Sequence, residues 1–193
     1  TVYGRTKENE RHIMRATSTT LRFALLLTVA NAFLDSYTYL SRGGVFANVQ
    51  TGNMIFGAMR LSEGRPADAV AHLWPILAFF AGVGLAAHLK SGRVDRYLPH
   101  PLRWAMLLQA TVLAVIGFLP ATVPNSYVTV SISFVAAMQI GLFRTVGDLT
   151  YMPVATTGNL MRLVEAGYTG LADHDRTARE ASRIYAVLTA FFT

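Results

Sequence analysis

The tripeptide Thr-Gly-Asn occurs twice, at Thr51-Gly52-Asn53 and at Thr157-Gly158-Asn159, each time within sequence apolar enough for a bilayer. This placement constrains the fold more than any other feature of the chain. Gly and Asn are costly in the middle of a lipid-facing helix, and irregular backbone at membrane depth is tolerated mainly where it is buried in protein or lines a cavity. Sliding the chain on itself by the spacing between the tripeptides also brings Val29-Ala30 onto Val135-Ala136, and Val45 to Leu61 onto Tyr151 to Gly167. The pattern predicts an internal two-fold repeat: repeat one over residues 21–90, a linker helix over 102–119 and repeat two over 127–193.

Composition sets the medium. Hydrophobic residues make up 52% and charged residues 15% of the chain, where a soluble domain carries about a quarter charged residues. Apolar runs reach the ~20 residues that a bilayer demands. The predicted fold class is therefore all-α, a polytopic transmembrane bundle. Its segments are Leu21 to Leu40, Val45 to Leu61, Ala69 to Leu89, Leu102 to Leu119, Tyr127 to Phe143, Met152 to Tyr168 and a truncated seventh from Ile184. Ala78, Gly82 and Ala86 fall at small-xxx-small spacing, which suits close helix packing. With no cysteine in the chain, disulfides, cysteine-ligated zinc, iron–sulfur clusters and thiol catalysis are excluded. His72 and His88 lack a second ligand at recognisable spacing, and no zinc-protease helix, phosphate-binding Gly-Lys loop or serine elbow is present. The expectation is no metal, no cofactor and no catalytic residue. The formal net charge of +6 is concentrated in connecting segments and at the N-terminus, a topology signal that points to anionic lipid and not to nucleic acid.

Residues 1–20, with Arg5, Lys7, Arg11 and Arg15, form a polar basic lead-in expected to stay cytoplasmic and uncleaved before a retained first helix. The last residues lie in a rising apolar run, so the sequence is expected to be a fragment. If every segment spans, the two halves run parallel; if the tripeptide segments dip in and return, the halves are inverted. The dipping arrangement leaves Arg42, Arg60 and Arg65 outside. Spanning would instead send Lys90, Arg93, Arg96 and Arg103 out with Arg42 and Arg144. The positive-inside rule favours dipping and a multi-pass inner-membrane protein.

In the inverted arrangement two helix starts enter from opposite faces, where unpaired N–H groups and a partial positive charge suit an anion, a carbonyl oxygen or a water file. Thr51 and Thr157 are expected to cap these helices, Gly52 and Gly158 to allow an unusual dihedral or close approach, and Asn53 and Asn159 to offer donors and acceptors. The plainer alternative is a helix-start turn packed against a neighbour. Asp35, late in the first helix, reads either as a proton or cation carrier or as an interfacial Asp that caps or pairs with Arg42. Gln139, with Gln109, reads either as a path-lining residue or as interhelical glue. Arg144 and Asp148 would face each other if their helix continued that far.

The run Phe46-Ala47-Asn48-Val49-Gln50-Thr51-Gly52-Asn53, preceded by Ala32 to Leu40, resembles the YoaK family of bacterial membrane proteins. Met138 to Leu142 with Thr156-Thr157-Gly158-Asn159 resembles that family's second-half motif, and the likeness covers Phe23 to the last residue. The resemblance implies an integral inner-membrane protein, assigns it no activity, and implies a chain that continues past this one. The functional expectation is a small-solute transporter or channel-like protein with its site at the tripeptides. A non-transporting membrane scaffold or lipid-binding protein is the alternative. The implied partners are the lipid bilayer, a small polar or anionic solute and a second copy of the chain.

Overall fold

The computed structural model describes residues 20–154 and 156–192, so the basic lead-in over residues 1–19 lies outside the described residues. Seven α-helices carry the described fold: α1 Leu21–Ser41, α2 Gln50–Ser62, α3 Pro66–Lys90, α4 Pro101–Gly117, α5 Asn125–Leu142, α6 Thr156–Ala172 and α7 Arg176–Ala190. A 3-10 turn over Arg93–Arg96 precedes α4, and β1 Thr145–Val146 pairs antiparallel with β2 Leu149–Thr150. Three helices, α1, α3 and α5, are long and apolar enough to cross a membrane, and α4 is a shorter apolar helix.

Three expectations need correction. Residues 45–49 and 151–154 are not helical, so each tripeptide segment begins with irregular chain, and α2 and α6 start only at Gln50 and Thr156. The last helix starts at Arg176 and not near Ile184, because the Asp175 carboxylate accepts from Thr177 N at 2.8 Å and fixes an N-cap there. Arg144 and Asp148 do not share a helix: α5 stops at Leu142 and the chain turns through the β1–β2 hairpin, where Gly147 takes φ 56°.

The described residues fall into two compact units, one of residues 31–142 and the other of residues 20–30 with 143–192. In the first, Ser133 Oγ donates to Pro75 O at 2.8 Å and Lys90 Nζ to Gly141 O at 3.1 Å, so α3 and α5 run parallel. Small residues let them touch. A Cβ on Gly82 would lie 2.3 Å from Phe134 O, and one on Gly141 would lie 2.6 Å from Ala86 Cβ. Helix α4 runs antiparallel to α5, since Gln109 Nε2 donates to Gln139 Oε1 at 2.6 Å while Ile116 packs with Val128 and Ile132 toward the other end. In the second unit Ala24, Val146, Tyr151, Tyr185 and Leu188 make the core. There α6 and α7 run antiparallel, joined by Arg179 Nε to Gly170 O at 2.7 Å and Ser182 Oγ to Leu163 O at 3.3 Å.

Polarity is arranged opposite to that of a water-soluble bundle. Along α1, Leu26, Phe33 and Leu40 are 70%, 66% and 80% exposed, while Thr28, Asn31, Asp35 and Thr38 are buried. Such an apolar exterior is stable only against lipid.

Candidate functional site

Helix α1 ends in two successive glycines with positive φ, Gly43 at 89° and Gly44 at 74°, and Gly44 N bonds back to Tyr39 O at 3.0 Å. This left-handed pair reverses the chain, so residues 45–49 run back along α1. Several of the polar backbone groups freed on the way meet side chains. Thr38 Oγ1 accepts from Ala47 N at 3.1 Å, Asp35 Oδ1 accepts from Asn48 N at 2.7 Å, and Asn31 Oδ1 accepts from Asn48 Nδ2 at 3.3 Å. Asn31, Asp35 and Thr38 share one face of α1. From the far side Gln50 Nε2 donates to Ala47 O at 2.8 Å and to Ser133 Oγ at 3.2 Å. The chain thus reaches the level of Asn31, about 15 Å from the Ser41 end of α1 at the helical rise and about half the thickness of a hydrocarbon core.

Helix α2 then returns the way the chain came. Asn53 grips Phe46 with both ends of its amide, Oδ1 accepting from Phe46 N at 2.9 Å and Nδ2 donating to Phe46 O at 2.7 Å. Farther along α2, the Phe56 ring lies 6.1 Å from Phe46 and 5.9 Å from Tyr39, which sits near the Ser41 end of α1. Past Phe56 an exposed ion cluster of Arg60, Glu63, Arg65 and Asp68 surrounds the turn into α3. With 13 residues, α2 is about 20 Å long, too short to cross by itself. The segment over residues 45–62 is a hairpin, one leg irregular and one helical, that starts and returns beside the same end of α1.

The second tripeptide has the same local geometry. Asn159 Oδ1 accepts from Met152 N at 3.1 Å and its Nδ2 donates to Met152 O at 2.8 Å, again across seven residues. Both Asn side chains are buried, at 0% and 1% exposure. The other tripeptide residues behave differently from expectation. Val49 is the N-cap of α2 with no side-chain cap bond, and Thr51 is exposed inside the helix. Thr157 is likewise exposed and inside α6. A Cβ on Gly52 would lie 2.8 Å from the Phe46 ring, so this glycine serves close approach without a left-handed dihedral; Gly158 has no atom within 4 Å of that position.

Asp35, Gly52 and Asn53 come together in the unit of residues 31–142, whereas Thr157, Gly158 and Asn159 belong to the other unit. Gln139 stands apart from the hairpin in its bond to Gln109. Asp35 makes no ion pair with Arg42, whose Nε donates instead to Tyr37 OH at 2.8 Å. Asn48, Thr38 and Gln50 carry the cradle without having been singled out in the sequence; the polar stripe Asn31, Asp35, Thr38 is the signal that points to them. Two acceptors at the tip stay unsatisfied. Asp35 Oδ2 and Asn48 Oδ1 are buried without a hydrogen-bond partner among the described residues.

Apolar helices of membrane length, an apolar exterior and a buried polar cradle around broken backbone define an all-α membrane protein. The chain belongs to the family described as "protein of unknown function (DUF1275)", whose model matches residues 23–193. Over 144 residues it is 26% identical to the UPF0700 transmembrane protein YoaK of Bacillus subtilis (strain 168), a match covering 72% of this chain and 64% of that relative. The match thus spans less than two thirds of the relative's own length. No solved structure matches the chain.

Proposed function

We propose that the protein is a small-solute transporter or channel-like protein of the bacterial cytoplasmic membrane, with its N-terminus inside and a site at the two Thr-Gly-Asn segments. The observation that carries the reading is the broken backbone held halfway along α1, since membrane proteins place irregular chain at that depth where it faces a cavity or binding site. Equivalent Asn clamps at Phe46 and Met152 support an internal duplication. The basic residues of the connecting segments support inverted halves. At the first tip the groups without partners are oxygens of Asp35 and Asn48, so a polar solute bearing hydrogen-bond donors suits it better than an anion. The reading assigns no catalytic step.

Osmotic swelling of proteoliposomes tests it. With urea, glycerol, formate and nitrate as the probe panel, the account predicts protein-dependent permeability to a donor-bearing solute, reduced at least tenfold by Asp35→Asn. Permeability equal to that of protein-free vesicles for the whole panel, or a flux indifferent to Asp35→Asn, would remove the pathway and favour a scaffold or lipid-binding role.

A further inference from the structure

The cradle leaves a chemical remainder. Asp35 and Asn48 are 5% and 3% exposed, and each ends in an oxygen with no hydrogen-bond partner among the described residues. Their other polar atoms are fully engaged: Asp35 Oδ1 accepts from Asn48 N at 2.7 Å, and Asn48 Nδ2 donates to Asn31 Oδ1 at 3.3 Å. The bond from Asn48 N to Asp35 Oδ1 holds the two residues against each other at the hairpin tip. Both are acceptors, and one belongs to a carboxylate. A buried acceptor without a donor costs free energy comparable to a lost hydrogen bond, more when it is charged. Among the described residues Asp35 makes no ion pair, and the buried Arg42 donates to Tyr37 OH instead, its guanidinium carbon 5.6 Å from the ring centroid.

We infer that Asp35 and Asn48 form a binding site for one small monovalent cation, an alkali ion or a proton, at the tip of the first hairpin. The inference rests on the same site as the proposed path, but not on transport. Oxygen donors suit a hard cation, and a proton on Asp35 Oδ2 would remove the charge of the buried carboxylate. Either occupant places one positive charge beside one carboxylate, and no bond to carbon is made or broken. In the same unit the other buried titratable groups are His72, whose ring lies 6.0 Å from that of Phe56, and Arg42. Neither bonds to Asp35.

The test is thermal unfolding of the purified protein in detergent. Sodium or potassium chloride is titrated against choline chloride at constant ionic strength, and pH is then lowered in choline chloride alone. A ligand that binds the folded state raises the unfolding temperature saturably. Wild type should show such a rise for sodium or potassium, which assigns an alkali cation, or on acidification alone, which assigns the proton. Asp35→Asn retains an oxygen that can accept from Asn48 N and removes the charge, so it should fold and lose the response. Asn48→Ala removes one oxygen while leaving Asp35 intact, and should weaken the apparent affinity at least tenfold; it serves as the reporter should Asp35→Asn fail to fold. No response in wild type, or an undiminished response in the variants, overturns the site. A cation response without solute flux would leave the site standing and remove only the transport reading.

Discussion

Two asparagines do at residue scale what a helix would otherwise do for its own backbone. Asn53 and Asn159 each return an acceptor and a donor to a residue seven positions earlier, at Phe46 and Met152. A carboxylate cannot donate and a hydroxyl is too short to do both, which is why an amide stands at this position. Asn53→Ala would leave the Phe46 N–H and C=O unpaired in a water-poor interior, at about 1–3 kcal/mol each. Reversible unfolding in mixed detergent micelles should show a loss of about 2–6 kcal/mol, with Asn159→Ala lower in stability as well. A variant as stable as wild type would mean that the clamp is incidental. The repeat made these residues visible in the sequence. Their role was not visible, because the partner is backbone that a continuous-helix reading would have satisfied. The expected Thr51 cap fails for the same reason: with Val49 at the N-cap, Thr51 lies two residues too far into the helix.

At the scale of elements, apolar periodicity locates the helices and misses where two of them break. Val45 to Leu61 reads as one segment because Val45, Phe46, Ala47 and Val49 are apolar, yet Gly43 and Gly44 turn the chain back and Asn31, Asp35 and Thr38 offer it side-chain partners. Those partners are distant in sequence, so no local pattern exposes them. Packing between α3 and α5 was more legible, since the stripe of Ala78, Gly82 and Ala86 is buried as its spacing predicts. Gly82→Val should separate these helices, because its Cβ would fall within 2.3 Å of a backbone oxygen. Overpacking of this kind costs about 1–3 kcal/mol or more. Gly84→Ala, with nothing within 4 Å, should be neutral or slightly stabilising. Thermal unfolding in detergent distinguishes the pair, and an equal response of both variants would contradict the packing argument.

On the scale of the whole molecule, the contacts fix directions within the unit of residues 31–142 before any membrane is considered. The Ser41 end of α1, the Ser62 end of α2 and the start of α3 lie together, and α3 then carries the chain to its Lys90 end. Exposed Phe33 and Leu40 turn that arrangement into a membrane topology. Cysteine labelling tests it most directly, against a background free of native cysteine. Single Cys residues replace the exposed Ser41, Glu63 and Ser91, and intact cells are treated with a membrane-impermeant thiol reagent. The account predicts that the Ser41 and Glu63 positions are labelled and the Ser91 position is protected. Protection at Glu63 together with labelling at Ser41 would mean that the first tripeptide segment crosses the membrane, and the re-entrant hairpin would be abandoned.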